Sequence, residues 1–402
     1  MQFDLIKGNA VIGQSGGPTA VINQSLVGVV NALRGADAIT GILGARNGVR
    51  GMIEERFVDL ASISPETLER VAITPSAALG SSRDKPDKAY CEQIFEVFER
   101  NNVRYFFYVG GNDSSDTCRI INELSDDVGY ELRCFHIPKT IDNDLVCNDH
   151  TPGYPSAARF VAKAFMGDNL DNASLPGIKI DIVMGRHAGF LTAAAVLARQ
   201  HEGDGPHLIY CPERAFDPEQ FVADIDRMYT EHGRCLVAVS EGIANAEGDS
   251  IAAMMASSAE KDAHGNVQLS GSGALGDFLA NLVKIELTPK GAKPPRVRAD
   301  TFGYLQRCFP DASDVDQAEA RAAGAKAAEV AMSGDKDGSI AIERVSSEPY
   351  KSRMKLIKLT DVAAKTKHMP EEFISECGAD VTDAFIEYAK PLVGELPNLG
   401  RV

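Results

Sequence analysis

No run of apolar residues in the 402-residue chain approaches the ~20 that a membrane-spanning helix needs. The first four residues, Met1-Gln2-Phe3-Asp4, do not resemble the opening of a signal peptide. The eight cysteines are scattered and include no Cys-x-x-Cys pair, which favours reduced structural thiols over a zinc site or a disulfide framework. We therefore expect a soluble, cytoplasmic protein with no membrane partner.

Positive charge is in deficit, because 41 Lys and Arg stand against 57 Asp and Glu and give a formal net charge of −16. A nucleic acid partner requires a basic surface, so this balance argues against nucleic acid binding. An anionic substrate must instead meet a few lysines and arginines gathered at one site. The 44% hydrophobic content excludes a disordered chain, and the length allows two domain cores.

Short apolar runs that end in glycine-rich or acidic loops alternate with longer helical patterns. This alternation predicts an α/β protein of the doubly wound type, with parallel strands joined by crossover helices. In such sheets ligands bind beyond the carboxyl ends of the strands, so the residues after each run are the functional candidates. Strands are predicted at 9–12, 103–109, 134–137, 178–183, 207–211 and 235–239, and helices at 314–333 and 380–390.

Residues 245–297 interrupt this pattern, because they are rich first in Ala, Ser and Gly and later in Lys, Gly and Pro. We interpret them as an insertion, part helix and part loop, between a strand and the segment around Arg298. We assign no function to this stretch.

The loop at residues 13–19 follows the first predicted strand and leads into a predicted helix at 20–33. Its adjacent glycines, Gly16 and Gly17, let backbone N–H groups approach a phosphate, and a helix N-terminus favours an anion. It is not a Walker A loop, because no Gly-Lys-Ser/Thr follows. A tight strand-to-helix turn explains the same residues equally well.

The loop Gly110-Gly111-Asn112-Asp113-Ser114 follows the most apolar predicted strand. A carboxylate repels a phosphate, so Asp113 would either bind a cation or exclude part of a ligand. The alternative is that Asp113 or Ser114 caps the helix that follows.

The segment at residues 138–144 places a cation, a hydroxyl and two carboxylates directly after a strand, as Lys139, Thr140, Asp142 and Asp144. One carboxylate could accept a proton from an attacking hydroxyl, the lysine could neutralise a transferring phosphoryl group, and the second carboxylate could hold Mg²⁺ through water. The alternative is an Asx-rich turn with a solvated lysine.

Six motifs, taken together and in order, resemble the phosphofructokinase family over about residues 8 to 310. The motifs are Ser15-Gly16-Gly17, the loops at 110–114 and 138–144, Met184-Gly185-Arg186, Ser240-Glu241-Gly242 and Gly303-Tyr304-Leu305-Gln306-Arg307. Asp113 and Lys139 resemble the pyrophosphate-dependent branch, since both positions are usually glycine in the ATP-dependent branch. A carboxylate at position 113 would occupy the place of the ATP α-phosphate and repel it, whereas pyrophosphate lacks that group.

The resemblance implies two Rossmann-like three-layer αβα domains with the active site in the cleft between them. It implies a pyrophosphate-binding domain at residues 1–153 plus about 308–360 and a sugar-phosphate-binding domain at 154–307 plus about 361–402. It further implies a homo-oligomer, most simply a homodimer and otherwise a tetramer.

The implied reaction is the reversible transfer of a phosphoryl group from pyrophosphate to the 1-hydroxyl of fructose 6-phosphate. Asp142 would be the base, with Lys139, Asp113 and Arg186 as the other catalytic residues. Mg²⁺ would be held by Asn112 and Asp144. The implied pyrophosphate-binding residues are Gly17, Arg83, Gly111 and Ser114, and the implied sugar-binding residues are Thr140, Asp142, Met184, Gly185, Arg186, Glu241, Arg298, Tyr304 and Arg307.

Two positions depart from the family pattern. Asn112 stands where the family usually has a magnesium-binding Asp. Gly177, Ile178 and Lys179 stand where many relatives supply an arginine to a neighbouring subunit, so either Lys179 substitutes for it or the interface differs. The competing hypotheses are an ATP-dependent 6-phosphofructokinase and a non-catalytic sugar-phosphate sensor on the same fold.

Overall fold

The computed structural model describes residues 5–255, 273–290 and 292–401. Eleven strands lie in these residues. They are β1 (Gly8–Gln14), β2 (Ile39–Ala45), β3 (Phe57–Asp59), β4 (Val103–Gly110), β5 (Arg133–Pro138), β6 (Ile178–Val183), β7 (Leu208–Tyr210), β8 (Cys235–Ser240), β9 (Val297–Thr301), β10 (Asp337–Ser347) and β11 (Tyr350–Ile357).

Fourteen α-helices lie in the same residues, together with short 3₁₀ helices at Ala194–Ala198 and Glu371–Phe373. They are α1 (Ile22–Leu33), α2 (Gly48–Ile53), α3 (Pro65–Ala72), α4 (Lys88–Arg100), α5 (Asn112–Val128), α6 (Tyr154–Ser174), α7 (Phe190–Ala193), α8 (Pro218–His232), α9 (Ile251–Met255), α10 (Ala274–Glu286), α11 (Leu305–Cys308), α12 (Asp314–Met332), α13 (Leu359–Val362) and α14 (Asp383–Val393). None of the helices in the described ranges is long and apolar enough to cross a membrane.

The chain divides into two compact units. Unit 1 comprises Met1–Ile141, Leu145–Ser156 and Arg307–Lys367, and unit 2 comprises Asp142–Asp144, Ala157–Gln306 and His368–Val402. The α/β class predicted from the sequence is confirmed. Which substrate each unit binds stays a prediction at this point.

Unit 1 contains a seven-stranded mixed sheet in the order β11-β10-β5-β4-β1-β2-β3. The central strands are parallel, while β3 and β11 run antiparallel to their neighbours. Because β2 lies on one side of β1 and β4 on the other, the strand order reverses between β1 and β4. In open α/β sheets ligands bind at such a switch point, beyond the carboxyl ends of the strands.

Helices α1 and α12 pack closely against each other in unit 1. A Cβ added at Gly28 would meet the backbone of Arg321, and one added at Gly324 would meet the backbone of Ser25. The small residues of α12 therefore serve close packing, which agrees with its Ala-rich sequence and its buried Ala320, Ala323 and Ala327.

Unit 2 contains a four-stranded parallel sheet in the order β7-β8-β6-β9. Ile178, Ile180 and Ile182 of β6 point into a core that also contains Leu279 and Val283 of α10. Helix α10 is therefore a crossover helix that covers the sheet between β8 and β9. The part-helical character expected for 245–297 is seen in α9 and α10, and apolar residues of α10 pack into this core. That the stretch is an insertion stays a prediction. Residues 256–272 and 291 of that stretch lie outside the described residues.

Candidate active site

The loop after β1 contacts two other segments of unit 1. The Gly16 N–H donates to the Ser82 carbonyl at 2.9 Å, and the Ser81 hydroxyl donates to the Gly16 carbonyl at 2.6 Å. Gly16 has a φ of 75°, a conformation that glycine adopts without strain. The loop is thus held in place on the side of residues 81–82, and Arg83, which follows, is exposed to solvent.

The loop after β4 opens helix α5 with an uncommon arrangement. The N-cap residue is Gly111, and it makes no side-chain cap. Asp113 and Ser114 therefore lie inside the first turn, which excludes the interpretation that one of them is the N-cap. The Ser114 hydroxyl is buried and hydrogen-bonds the Ser15 hydroxyl of the first loop. The two glycine loops are joined through these serines.

The carboxylate of Asp113 is half-exposed and forms an ion pair with Lys85 Nζ at 3.0 Å. Asp113 lies in the first turn of α5, at the positive end of the helix dipole, where a nearby negative charge is stabilised. A negative charge is thus held in the loop at a place where a phosphate-binding loop would normally present only backbone N–H groups.

Lys139 lies directly after β5 and is only 4% exposed. Its ammonium donates to the Gly17 carbonyl at 2.6 Å, and its backbone N–H donates to the Gly110 carbonyl at 2.9 Å. The alternative of a solvated lysine in an Asx-rich turn is therefore wrong. Lys139 contacts the loop after β1 through its ammonium and Gly110 at the end of β4 through its backbone N–H, so three candidate segments of unit 1 meet at this residue.

His136 on β5 supports the same loops from inside the sheet. Its Nε2 lies 2.9 Å from the Gly110 carbonyl and its Nδ1 lies 2.8 Å from the Ser339 hydroxyl. A carbonyl can only accept, so Nε2 carries the proton and Nδ1 accepts from Ser339. Complete burial lowers the pKa of His136 to about 4, so the ring is neutral at physiological pH.

Thr140 is fixed to a second segment of unit 1. Its N–H donates to the Pro152 carbonyl at 3.2 Å, and the Thr151 hydroxyl donates to the Thr140 carbonyl at 2.9 Å. The segment after Thr151 is held in turn by Asp316 of α12, which accepts from the N–H of Gly153 at 2.8 Å and from the hydroxyl of Ser156 at 2.5 Å. Sequence reasoning missed Asp316, because nothing in an Ala-rich helix marks one carboxylate as a support for a distant loop.

Arg307 begins the third segment of unit 1. A Cβ at Gly17 would lie 3.0 Å from Cζ of Arg307, so the guanidinium lies on the first glycine loop. The family resemblance assigns Arg307 to the sugar 6-phosphate, and the structure places it beside the predicted pyrophosphate loop.

Asp142, Asn143 and Asp144 belong to unit 2, so the predicted catalytic segment passes from one unit to the other after Ile141. Asp142 and Asp144 are half-buried. Between them the buried Asn143 adopts a φ of 59° and donates to the Tyr388 hydroxyl of α14 at 2.8 Å. This contact fixes the backbone that carries both carboxylates, and the sequence pattern gave no signal for Tyr388.

The motifs after β6 and β8 meet in unit 2 because these strands are parallel neighbours, with Val183 opposite Ser240. The Ser240 hydroxyl donates to the Gly185 carbonyl at 2.8 Å, and a Cβ on Gly242 would meet the backbone of Arg186. Glu241 is buried, contrary to the solvated glutamate that its sequence context alone would indicate.

Gln306 connects the third sugar motif of unit 2 to the first. Its side-chain carbonyl accepts from the Met184 N–H at 3.3 Å, and its amide donates to the Gly303 carbonyl at 3.0 Å. The turn that carries the exposed Tyr304 is thereby attached to the end of β6. Gln306 belongs to the motif at residues 303–307, and the family resemblance implies no role for it.

A cavity of about 330 Å³ lies in unit 2 beside Arg186 and Gly242. Its walls include His187, Glu213 and His368. Burial raises the pKa of Glu213, while the N–H groups of Gly189 and Met369 donate to one of its oxygens at 2.8 and 3.0 Å. Burial and the charge of Arg186 lower the pKa of His187. The cavity is large enough for a small polar ligand.

Arg298 does not join the other sugar-binding candidates within this unit. It is exposed near the start of β9, where it lies opposite Lys179 of β6. Met184 follows the far end of β6, five residues on, which corresponds to roughly 16 Å along a strand. The structure therefore does not bring Arg298 together with Met184, Gly185 and Arg186 of the same chain.

Lys179 is bound within its own unit. Its ammonium lies 3.2 Å from a carboxylate oxygen of Asp168 and 2.6 Å from one of Asp300. This favours the second of the two alternatives for the missing interface arginine, namely a different interface, over a lysine that extends to a neighbouring subunit.

Comparisons with known proteins identify the family of the chain. The family model for phosphofructokinase matches residues 9–331. The chain is 55% identical over 400 residues to a pyrophosphate--fructose 6-phosphate 1-phosphotransferase of Rhodospirillum rubrum, covering 99% of this chain and 97% of the relative. It is 38% identical over 395 residues to the protein of the same name from Halomonas elongata, covering 96% and 91%.

A solved structure, a pyrophosphate-dependent phosphofructokinase from Nitrosospira multiformis, superposes with a TM-score of 0.85 at 36% identity. The match covers 98% of this chain and 94% of that one. The resemblance inferred from the six motifs is thus confirmed over nearly the whole chain. The chain belongs to the phosphofructokinase family.

Proposed function

We propose that this protein transfers a phosphoryl group reversibly between pyrophosphate and the 1-hydroxyl of fructose 6-phosphate, giving fructose 1,6-bisphosphate and phosphate. The observation that carries the proposal is the buried Lys139 ammonium on the Gly17 carbonyl, in loops that also carry Asp113. The relatives at 55% and 38% identity are named for this reaction. An ATP-dependent enzyme would need neither the positive charge at position 139 nor the negative charge at position 113.

Asp142 is the proposed base that accepts the proton of the sugar hydroxyl. Its backbone is held through Asn143, and the residue is half-buried directly after the segment that carries Lys139. Lys139 and Arg186 would stabilise the negative charge on the transferring group. Fixed cations at such a position are worth most when water is excluded, which the burial of Lys139 supports.

Phosphotransfer enzymes of this family are expected to use a divalent metal ion, and we propose Mg²⁺. The candidates Asn112 and Asp144 offer an amide oxygen and a carboxylate oxygen, and oxygen ligands of this kind suit Mg²⁺. Bound with pyrophosphate, the ion would neutralise part of the donor's charge. With one carboxylate fewer than the family pattern, Mg²⁺ would depend more on the pyrophosphate oxygens themselves.

Donor selection is assigned to Asp113, with Lys85 as its partner. The carboxylate would repel the α-phosphate of a nucleotide, while Lys85 at 3.0 Å keeps its charge from repelling pyrophosphate equally. Gly17, Gly111, Ser114 and Arg83 are the proposed pyrophosphate contacts, and Arg307 would serve either phosphate from its place on Gly17.

The sugar would be bound by Thr140, Met184, Gly185, Arg186, Glu241 and Tyr304. We propose that Arg298 serves the site of a second copy, since it lies roughly 16 Å along the sheet from Met184 in its own chain. This requires at least a homodimer. The cytoplasm is the proposed location, in keeping with eight free thiols.

The test is to incubate the purified chain with pyrophosphate, fructose 6-phosphate and Mg²⁺ and to follow the products by ³¹P NMR. Fructose 1,6-bisphosphate and phosphate are expected, and adding these products alone should regenerate pyrophosphate. Asp142→Asn should lose about 10²–10⁴-fold in kcat while fructose 6-phosphate still binds. An Asp142→Asn enzyme that keeps most of its rate would exclude Asp142 as the base.

A further inference from the structure

Three carboxylates and one ammonium cluster on the face of the unit 2 sheet that is turned away from the isoleucine core. Lys179 and Asp181 lie on this face of β6, Asp300 lies on β9, and Asp168 lies on α6. Carboxylate oxygens of the three aspartates all lie within 4.8 Å of one another. The cluster is outside the loops to which the reaction is assigned, so its role is independent of the proposed function.

Asp181 is the unusual member of this cluster because it is completely buried. It stands directly opposite Asp300 in the parallel pairing of β6 with β9. Among the described residues, neither of its carboxylate oxygens has a hydrogen-bond donor. Burial and the neighbouring carboxylate of Asp168 raise the pKa of Asp181 well above its ordinary value. A buried carboxylate without a donor is costly unless something else compensates it.

Lys179 compensates only part of the charge. Its ammonium contacts Asp168 at 3.2 Å and Asp300 at 2.6 Å, and without another cation the raised pKa of Asp181 favours a proton on that carboxyl group. With all three carboxylates ionised, as ligands of a cation are, the aspartates and Lys179 together carry a net charge of −2. A divalent cation would bring this sum to zero. The side chain of Asp300 is 62% exposed, so an ion could enter from solvent on that side.

We propose that Asp168, Asp181 and Asp300 bind one divalent cation. An ion bound at about 2.3–2.6 Å from each oxygen, as Ca²⁺ is, spans carboxylates up to about 5 Å apart, whereas Mg²⁺ needs a tighter arrangement. Water would complete the coordination on the exposed side. Lys179 competes for two of the three ligands and acts as an internal counter-ion when the ion is absent.

The cation would join two strands that lead into substrate motifs, β6 and β9, to helix α6. Strand β6 ends directly before Met184, β9 leads into the turn of Tyr304, and Asp168 of α6 contacts Lys179 of β6. An ion bridging Asp181, Asp300 and Asp168 would fix the spacing of β6, β9 and α6.

The experiment is a calorimetric titration of the metal-free full-length chain with Ca²⁺, without pyrophosphate or sugar, paired with thermal unfolding with and without Ca²⁺. We expect one equivalent to bind and to raise the unfolding temperature. Asp181→Asn, and Asp300→Asn at the exposed ligand, should each weaken binding by about 10–100-fold or more. Asp300→Asn keeps the test valid if Asp181→Asn does not fold.

Asp171→Asn is the matched control, because it removes an exposed carboxylate from the same helix outside the cluster. It should leave Ca²⁺ binding unchanged, whereas Lys179→Met should tighten it by removing the internal competitor. The proposal is overturned if the wild type binds no Ca²⁺, or if binding survives in Asp181→Asn and Asp300→Asn. It is equally overturned if binding is lost only in Asp144→Asn, since the ion would then belong to the candidate active site.

Discussion

Lys139 Nζ lies 2.6 Å from the Gly17 carbonyl oxygen, which holds a buried ammonium on the glycine loop that follows strand β1 of unit 1. A cation held in this way is already in place before a phosphate arrives. The ammonium therefore needs little rearrangement when negative charge develops on the transferring phosphoryl group. A charge that is already in position accelerates a reaction for this reason.

Replacing Lys139 by Met should lower kcat with pyrophosphate by about 10²–10³-fold, because one fixed positive charge is lost from the transition state. Lys88→Met, which removes an exposed lysine from α4, is the control and should behave as wild type. Steady-state kinetics in both directions measure the effect. Similar losses in the two variants would show that Lys139 has no specific part in the reaction.

Replacing Lys85 by Met should raise KM for pyrophosphate by a few-fold, because Asp113 then repels the donor more strongly. The effect is modest since both partners are half-exposed, and it should shrink as salt is added. The test is to measure KM for pyrophosphate at low and high ionic strength in Lys85→Met and in the control variant Lys88→Met. The role of Lys85 would be contradicted by equal KM values for the two variants at low salt.

Arg298→Met should lower kcat/KM for fructose 6-phosphate by about 10–100-fold, the effect of losing a charge-assisted hydrogen bond. If Arg298 serves a second copy, mixing Arg298→Met with Asp142→Asn subunits should restore activity. A mixed dimer has one site with an intact Asp142 and an Arg298 supplied by the other subunit. Activity that stays at the sum of the two separate variants would contradict a role across subunits.

His136 makes the stability of unit 1 depend on pH. Its pKa is about 4 in the folded chain and about 6.5 when unfolded, so the unfolded chain takes up the proton first as pH falls. The stability that neutral His136 contributes is complete above pH 6.5. As pH falls from 6.5 toward 4, the free energy of unfolding drops by up to about 3 kcal/mol. His136→Gln keeps a donor and an acceptor without titrating.

Urea unfolding at pH 7 and pH 4.5 tests this prediction. His136→Gln should lose less stability between the two pH values than wild type, while His201→Gln, at an exposed histidine, should lose as much as wild type. An unchanged pH dependence in His136→Gln would assign the acid sensitivity to other groups, such as His207, whose pKa burial also lowers to about 4.

The sequence predicts the strands β1, β4, β5, β6, β7 and β8, whereas β2, β3, β9, β10 and β11 were not predicted. Strand β6 was predicted at its observed bounds, because parallel strands covered on both faces are continuous apolar runs. Strands β9, β10 and β11 were missed because polar residues interrupt their apolar residues. In β9, for example, the polar residues are Arg298 and Asp300. The mixed character of the unit 1 sheet follows from such edges and carried no signal in the apolar runs.

The candidate site was predicted as a set of motifs but not as a set of contacts. A lysine at position 139 and an aspartate at position 113 indicate a donor site from the sequence. Only the structure shows that Lys139 is buried and that Asp113 forms an ion pair with Lys85. Tyr388 and Asp316 support catalytic segments from far along the chain, and no local pattern marks them. Arg298 was grouped with its neighbours in sequence, although β9 carries it toward the opposite end of the sheet.

The account depends most on pyrophosphate as the donor and on Asp113 as the group that excludes ATP. The decisive measurement is kcat/KM for pyrophosphate and for ATP, with fructose 6-phosphate and Mg²⁺, for wild type, Asp113→Gly and Asp113→Asn. We expect wild type to favour pyrophosphate by about a hundredfold or more, Asp113→Gly to gain activity with ATP, and Asp113→Asn, which loses only the charge, to gain less. A wild-type enzyme that prefers ATP, or an Asp113→Gly variant that discriminates as wild type does, would contradict the account.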